Sequence, residues 1–122
     1  MSIPVANSDL SEHIAYFTQH GGSAILLGAN EAGQTRVWVC DPFVDDGRVI
    51  VAHVGASQRR LIATNPQATL VFPAIEPHGW TFIIDGHARV SDADPEAVII
   101  EPSGGMLHRP PAHADGPEWT GV

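Results

Sequence analysis

The chain contains one cysteine, Cys40, and no lysine; its six basic residues are all arginines. A lone thiol excludes an internal disulfide framework and fits a reducing compartment, so a cytoplasmic location is expected. Against six cations stand 14 carboxylates, for a formal net charge of −8. So acidic a surface repels phosphate backbones and argues against nucleic-acid binding, although a local basic site can still hold a small anion. Charged residues are only 16% of the chain, yet no apolar run approaches the ~20 residues of a membrane helix. The start lacks the basic-then-apolar pattern of a signal peptide. Gly-x-Ser-x-Gly, Walker A and dinucleotide glycine signatures are missing, which leaves no nucleophilic triad or nucleotide loop to assign. The seven histidines show neither HExxH nor paired Cys/His spacing, so no metal site is expected. Asp45-Asp46 reads as a solvated turn, and no catalytic acid or base is assigned.

What is present is mostly short strands. Asp9 to His20 reads as a helix, with Leu10, Ile14 and Phe17 on one stripe. Asp9 and Glu12 resemble a capping box, and Gly21-Gly22 is a natural stop. Strand patterns follow over Ala24 to Ala29, Thr35 to Cys40 and Arg48 to Val54. A short helix is expected from Ser57 to Thr64, ended by Asn65-Pro66. Then come Ala68 to Phe72, Trp80 to Val90 and Ala97 to Ile100, the last resuming at Met106 to His108 after a Gly104-Gly105 break. Gly86 interrupts the inner stripe Trp80, Phe82, Ile84, Ala88 and marks a bulge or bend. Six short strands predict a mainly β fold: a small barrel with an N-terminal helix and one short helix between strands three and four. Residues 1–110 form that domain, and 111–122 are a Pro/Gly/Ala-rich tail. Within the tail, Trp119 either docks on a partner subunit or is disordered.

The most informative segment is His53-Val54-Gly55-Ala56-Ser57-Gln58-Arg59-Arg60, which leaves a strand and opens a helix. The first amides of a helix lack internal partners and attract anions. Gly55 permits close approach of a ligand, and Ser57 can cap the helix or bond a phosphate oxygen. Arg59 and Arg60 oppose the helix dipole, at about 0.3–1 kcal/mol each. Either a bound anion reverses that cost, or both are solvated surface residues. His53 either contacts such a ligand or is a hydrogen-bonded barrel histidine. Trp38 either lines a planar pocket or simply packs. Cys40 reads as a small buried hydrophobe.

From Ser23 to about Val90 the chain resembles the pyridoxamine 5′-phosphate oxidase-like, FMN-binding split-barrel family. The elements match in order: a leading helix, the Ala24-Ile25-Leu26-Leu27 strand, Val37-Trp38-Val39, Ser57-Gln58-Arg59-Arg60, Asn65-Pro66-Gln67-Ala68, and Trp80 to Val90. Leu107-His108-Arg109-Pro110 is similar to the close of short actinobacterial members. The resemblance implies a six-stranded split barrel and a homodimer with FMN or a deazaflavin at the subunit interface. It also implies that the phosphate is gripped by the segment holding His53, Ser57, Gln58, Arg59 and Arg60, and an oxidoreductase acting on a small molecule. Two departures stand out. Where many members carry an Arg-Lys pair, this chain has Ser57 and Gln58, with its own basic pair following. The Arg-x-His substrate motif of the true oxidases is absent, so oxidation of pyridoxamine phosphate is not expected. The remaining alternatives are a non-catalytic cofactor-binding module and a degenerate structural dimer.

Overall fold

A computed structural model describes the whole chain, Met1–Val122. The strands are β1 (Ser2–Val5), β2 (Ala24–Ala29), β3 (Thr35–Cys40), β4 (Phe43–Asp45), β5 (Arg48–Val51), β6 (Gln67–Phe72), β7 (Thr81–Val90) and β8 (Val98–His108). Helix α1 spans Leu10–His20 and α2 spans Ala56–Thr64; short 3-10 turns sit at Asn7–Asp9 and Pro111–His113. One antiparallel sheet runs in the order β3-β2-β6-β7-β8-β5-β4, with β1 paired to β8.

The mainly β fold with two helices agrees with expectation, but the count of six strands does not, and the sheet does not close into a continuous ladder. There are eight strands, and β3 and β4 are the unpaired ends of the ladder. Only Asp41 and Pro42 separate those ends in the chain, so the sheet must curl back on itself. Strands β1 and β4 escape the sequence because four and three residues are too few to show alternation. Strand β5 stops at Val51 rather than Val54 because His53 takes a left-handed backbone, φ 57°. Gly104-Gly105 does not interrupt β8: Gly105 pairs with Ile84, and a Cβ there would come 2.5 Å from Leu10 Cδ2. That glycine serves close packing of α1 on the sheet. At Gly86 the expected bulge is present, as a register shift between Asp85 and Gly86.

Alternation sends Leu26, Leu70, Phe72, Phe82 and Ile84 to the inner face, where α1 contributes Leu10, Ile14 and Phe17. Phe17 stacks on Phe82 with centroids 5.4 Å apart and lies 6.1 Å from Phe72. The Asp9 side chain makes no capping bond. Its carbonyl accepts from His13 Nδ1 at 2.9 Å instead, tying the preceding 3-10 turn to the helix.

The C-terminal segment packs on its own chain. Arg109 is buried with its guanidinium 4.2 Å from the Trp80 centroid, and Nη1 donates to the Pro117 carbonyl at 2.7 Å. Trp119 stacks on Phe17 at 5.3 Å and 6°, and on His13 at 5.7 Å. Trp119 is therefore neither free nor waiting for a partner subunit: the aromatic face of α1 already holds it. No helix is long and apolar enough to cross a membrane.

Phe17 links α1, the sheet and the tail in a single stack. Phe17→Ala is expected to lower the unfolding free energy by about 3–5 kcal/mol in urea titration. A loss below about 1 kcal/mol would detach α1 from the core described here.

Candidate functional site

Because β4 is only three residues long, the end of β5 and the crossing into α2 have no strand on their open side. Across that gap lies the inward side of β3. The seam forms a cleft of about 330 Å³ whose walls include Trp38, Cys40, Asp41, His53, Gly55 and Gln58. Besides a small pocket of about 90 Å³ at Tyr16, Trp80 and Trp119, two other surface grooves exist. One, of about 330 Å³, runs along Asn65, Thr69 and Asp85 on the outer face. Another, of about 390 Å³, holds Arg48 and Arg89 but also Asp45, Asp92 and Asp94. The seam is the most enclosed of the three and the more apolar in its lining residues, as a small-molecule site should be.

Helix α2 organises the cleft. Its N-cap is Gly55, and no side chain caps the first turn. Gln58 folds back over that turn. Its Nε2 donates to the Gly55 carbonyl at 3.1 Å, and its Oε1 accepts from the Trp38 indole Nε1 at 3.0 Å. A side chain at position 55 would collide with the Gln58 amide, which is why glycine stands there. Gln58 thus connects α2 to β3 across the seam and fixes the Trp38 ring. Leu61 and the indole both approach Gly28, so the ring is held from the β2 side as well. At the other wall, the loop after β5 is pinned by the Val54 amide donating to the Glu96 carbonyl at 2.8 Å. Asp41 accepts from the Ser23 hydroxyl at 2.6 Å.

The candidate residues therefore divide. Trp38, His53 and Gln58 meet in one cleft. Ser57 is exposed on the first turn of α2, its hydroxyl 3.3 Å from the Gln58 amide. Arg59 turns away and donates from Nη1 to the Pro95 carbonyl at 2.7 Å. Arg60 is exposed, and its guanidinium makes no hydrogen bond or ion pair. Cys40 and Asp41 line the cleft without having been assigned to it. For Cys40 a signal existed, since strand alternation places it on the side of Trp38; for Asp41, in the link between two edges, there was none.

The cleft, at about 330 Å³, has the size of a small-molecule pocket, with Trp38 and His53 both in its lining. A cation to grip a cofactor phosphate does not face the cleft.

No family model matches the sequence. Uncharacterised proteins of Mycobacterium bovis and Mycobacterium tuberculosis are each 34% identical over 65 residues, covering 50% of this chain and 46% of each relative. The chain thus spans about half the length of the curated relatives it matches. Among solved structures, a putative pyridoxamine 5′-phosphate oxidase from Listeria innocua aligns with TM-score 0.63 at 12% identity, over 80% of this chain and 97% of that one. The FAD binding protein from Mycobacterium smegmatis gives 0.60 at 13%, over 89% and 100%. A protein described as F420 reductase gives 0.55 at 12%, over 68% and 87%. The chain has the split-barrel fold of pyridoxamine 5′-phosphate oxidase-like proteins, a fold whose known examples include FAD- and F420-binding members. Those superpositions establish a shared architecture and nothing beyond it.

Cys40 gives a direct check on the enclosure. Burial, and secondarily the Asp41 carboxylate, push its thiol up from 9.0 to about 11. At pH 8 the folded protein should expose about 100-fold less thiolate than the unfolded chain, and iodoacetamide labelling should slow accordingly. The sign for stability follows from the raised value. The contribution is complete below pH 9 and is lost as pH rises towards about 11. Cys40→Ala should remove that alkaline loss. Equal labelling rates in the folded and unfolded states would place the thiol in open water.

Proposed function

We propose that this chain is a homodimeric split-barrel protein that binds a flavin-type ring, FMN or a deazaflavin being the candidates, in the seam between β3 and the β5–α2 crossing. The supporting observation is the convergence of Trp38, His53 and Gln58 on one cleft, in a fold shared with an FAD binding protein and an F420 reductase. In this reading the protein is a cytoplasmic oxidoreductase acting on a small molecule. When bound, the ring supplies hydride or electron chemistry, and the protein supplies position and exclusion of water. Trp38 offers a planar face, and Gln58 keeps it in place. The neutral Cys40 thiol and the apolar walls keep water from the ring. Oxidation of pyridoxamine phosphate is not part of the proposal: His108-Arg109 lacks the required order, and Arg109 is buried beneath the C-terminal segment.

The dimer part draws on the outer face of the sheet. The cross-strand partners Val39, Ile25, Val71, Ile83, Met106 and Pro4 form one continuous apolar row over six strands. Val39 is 75% exposed and its neighbour Val37 57%. An apolar row this long is suited to a second copy of itself, its burial having to outweigh the repulsion between two chains of net charge −8. Since Val39 also borders the cleft, a second subunit on this row would wall the site from outside.

A non-catalytic or purely structural dimer is the second reading. One observation favours it: both arginines expected at the anchor point away from the cleft.

Addition of riboflavin or FMN to the purified protein is expected to raise Tm by several degrees, an effect reduced at least about tenfold in apparent affinity by Trp38→Ala. Sedimentation should give a dimer for the wild type and a monomer for Val39→Asp. If no flavin, deazaflavin or haem shifts Tm while the dimer persists, the structural reading replaces the redox one. A wild-type monomer would remove the interface.

A further inference from the structure

We infer that the seam selects its ligand by an uncharged planar ring and gives no grip to a phosphate, so that the phosphate of a flavin cofactor adds nothing to its affinity here. The inference rests on the assignment of the cleft as the ring site.

Each of the six arginines is accounted for elsewhere. Arg36 lies on the Trp38 side of β3, but its guanidinium donates to Gln34 Oε1 at 3.1 Å and the Thr35 carbonyl at 3.4 Å, towards the β2–β3 turn. Arg48 and Arg89 line the separate outer groove. Arg59 is bonded to the Pro95 carbonyl, and Arg60 stands in solvent. Arg109 is buried between Trp80 and Pro117. No arginine lines the cleft, and the one carboxylate on its wall, Asp41, repels a phosphate.

The helix start does not compensate. Free first-turn amides are the usual alternative to a basic grip. Here the neutral Gln58 amide lies against Gly55 and bonds its carbonyl, so an uncharged side chain and not an open glycine meets a ligand approaching that turn. The same amide is held on its other end by the Trp38 indole. Uncovering the helix start would therefore also release the ring that shapes the pocket. The absence of a facing guanidinium and the presence of Asp41 favour a neutral heteroaromatic surface over a phosphate ester.

The test is isothermal titration of the full chain with riboflavin, lumichrome and FMN, at low and at high salt. Riboflavin and FMN are expected to bind with dissociation constants within about threefold of each other, with little dependence on ionic strength. Gln58→Arg, which sets a cation at the lip and opens the helix start, is expected to shift the ratio at least about fivefold towards FMN at low salt. FMN binding to the wild type about tenfold or more tighter than riboflavin, with the advantage fading in high salt, would overturn the inference while leaving the ring site intact. Failure of all three ligands to bind would overturn the ring site and this inference together.

Discussion

The structure depends on a sheet that curls almost to closure but is joined at its ends by covalent chain instead of by hydrogen bonds. Asp41 and Pro42 carry the chain from one edge strand to the other. Proline lacks the N–H that a continued ladder would need. The short β4 then leaves the end of β5 without a partner on its open side. An unpaired seam in an otherwise packed barrel is a place where backbone and side chains can serve a ligand. The cleft with Trp38, His53 and Gln58 occupies that seam.

The core makes the seam affordable. Phe17 stacks on Phe82 and Trp119 stacks on Phe17, so the C-terminal segment covers α1 where α1 covers the sheet. Inner-face residues on β6 and β7 are nearly all inaccessible to water. With the hydrophobic contribution concentrated there, the β3 and β5 edges are relieved of closing the ladder. The Trp38–Gln58 bond crosses the gap in place of strand pairing and couples α2 to the sheet at the point where ligand chemistry would occur.

Much of this was legible in the sequence. An apolar run placed β2, period-two alternation placed β3 and β7 nearly to the residue, and Gly86 marked a bulge or bend that the sheet shows as a register shift. The order and spacing of several short motifs carried the resemblance to the split-barrel family. Legibility failed where the determining partner is distant in sequence. Gly104-Gly105 reads as a break until Leu10 is seen pressing on Gly105. Trp119 reads as a loose aromatic until Phe17 offers it a face. Arg59 and Arg60 look like an anion grip because helical spacing sets them near the first turn. Spacing cannot reveal that the Pro95 carbonyl, on the β7–β8 connection, takes the Arg59 guanidinium. Gln58, the residue that spoils the expected basic pair, turns out to fasten the cleft.

The central claim is that the unpaired seam, and not either of the outer grooves, receives the ligand. Amide and indole NMR shifts during titration with riboflavin test it most directly. The account predicts the largest changes at the Trp38 indole N–H and at the amides of Cys40, Asp41, His53 and Gly55. Changes centred instead on Arg48 and Arg89, or on Thr69 and Asp85, would contradict it.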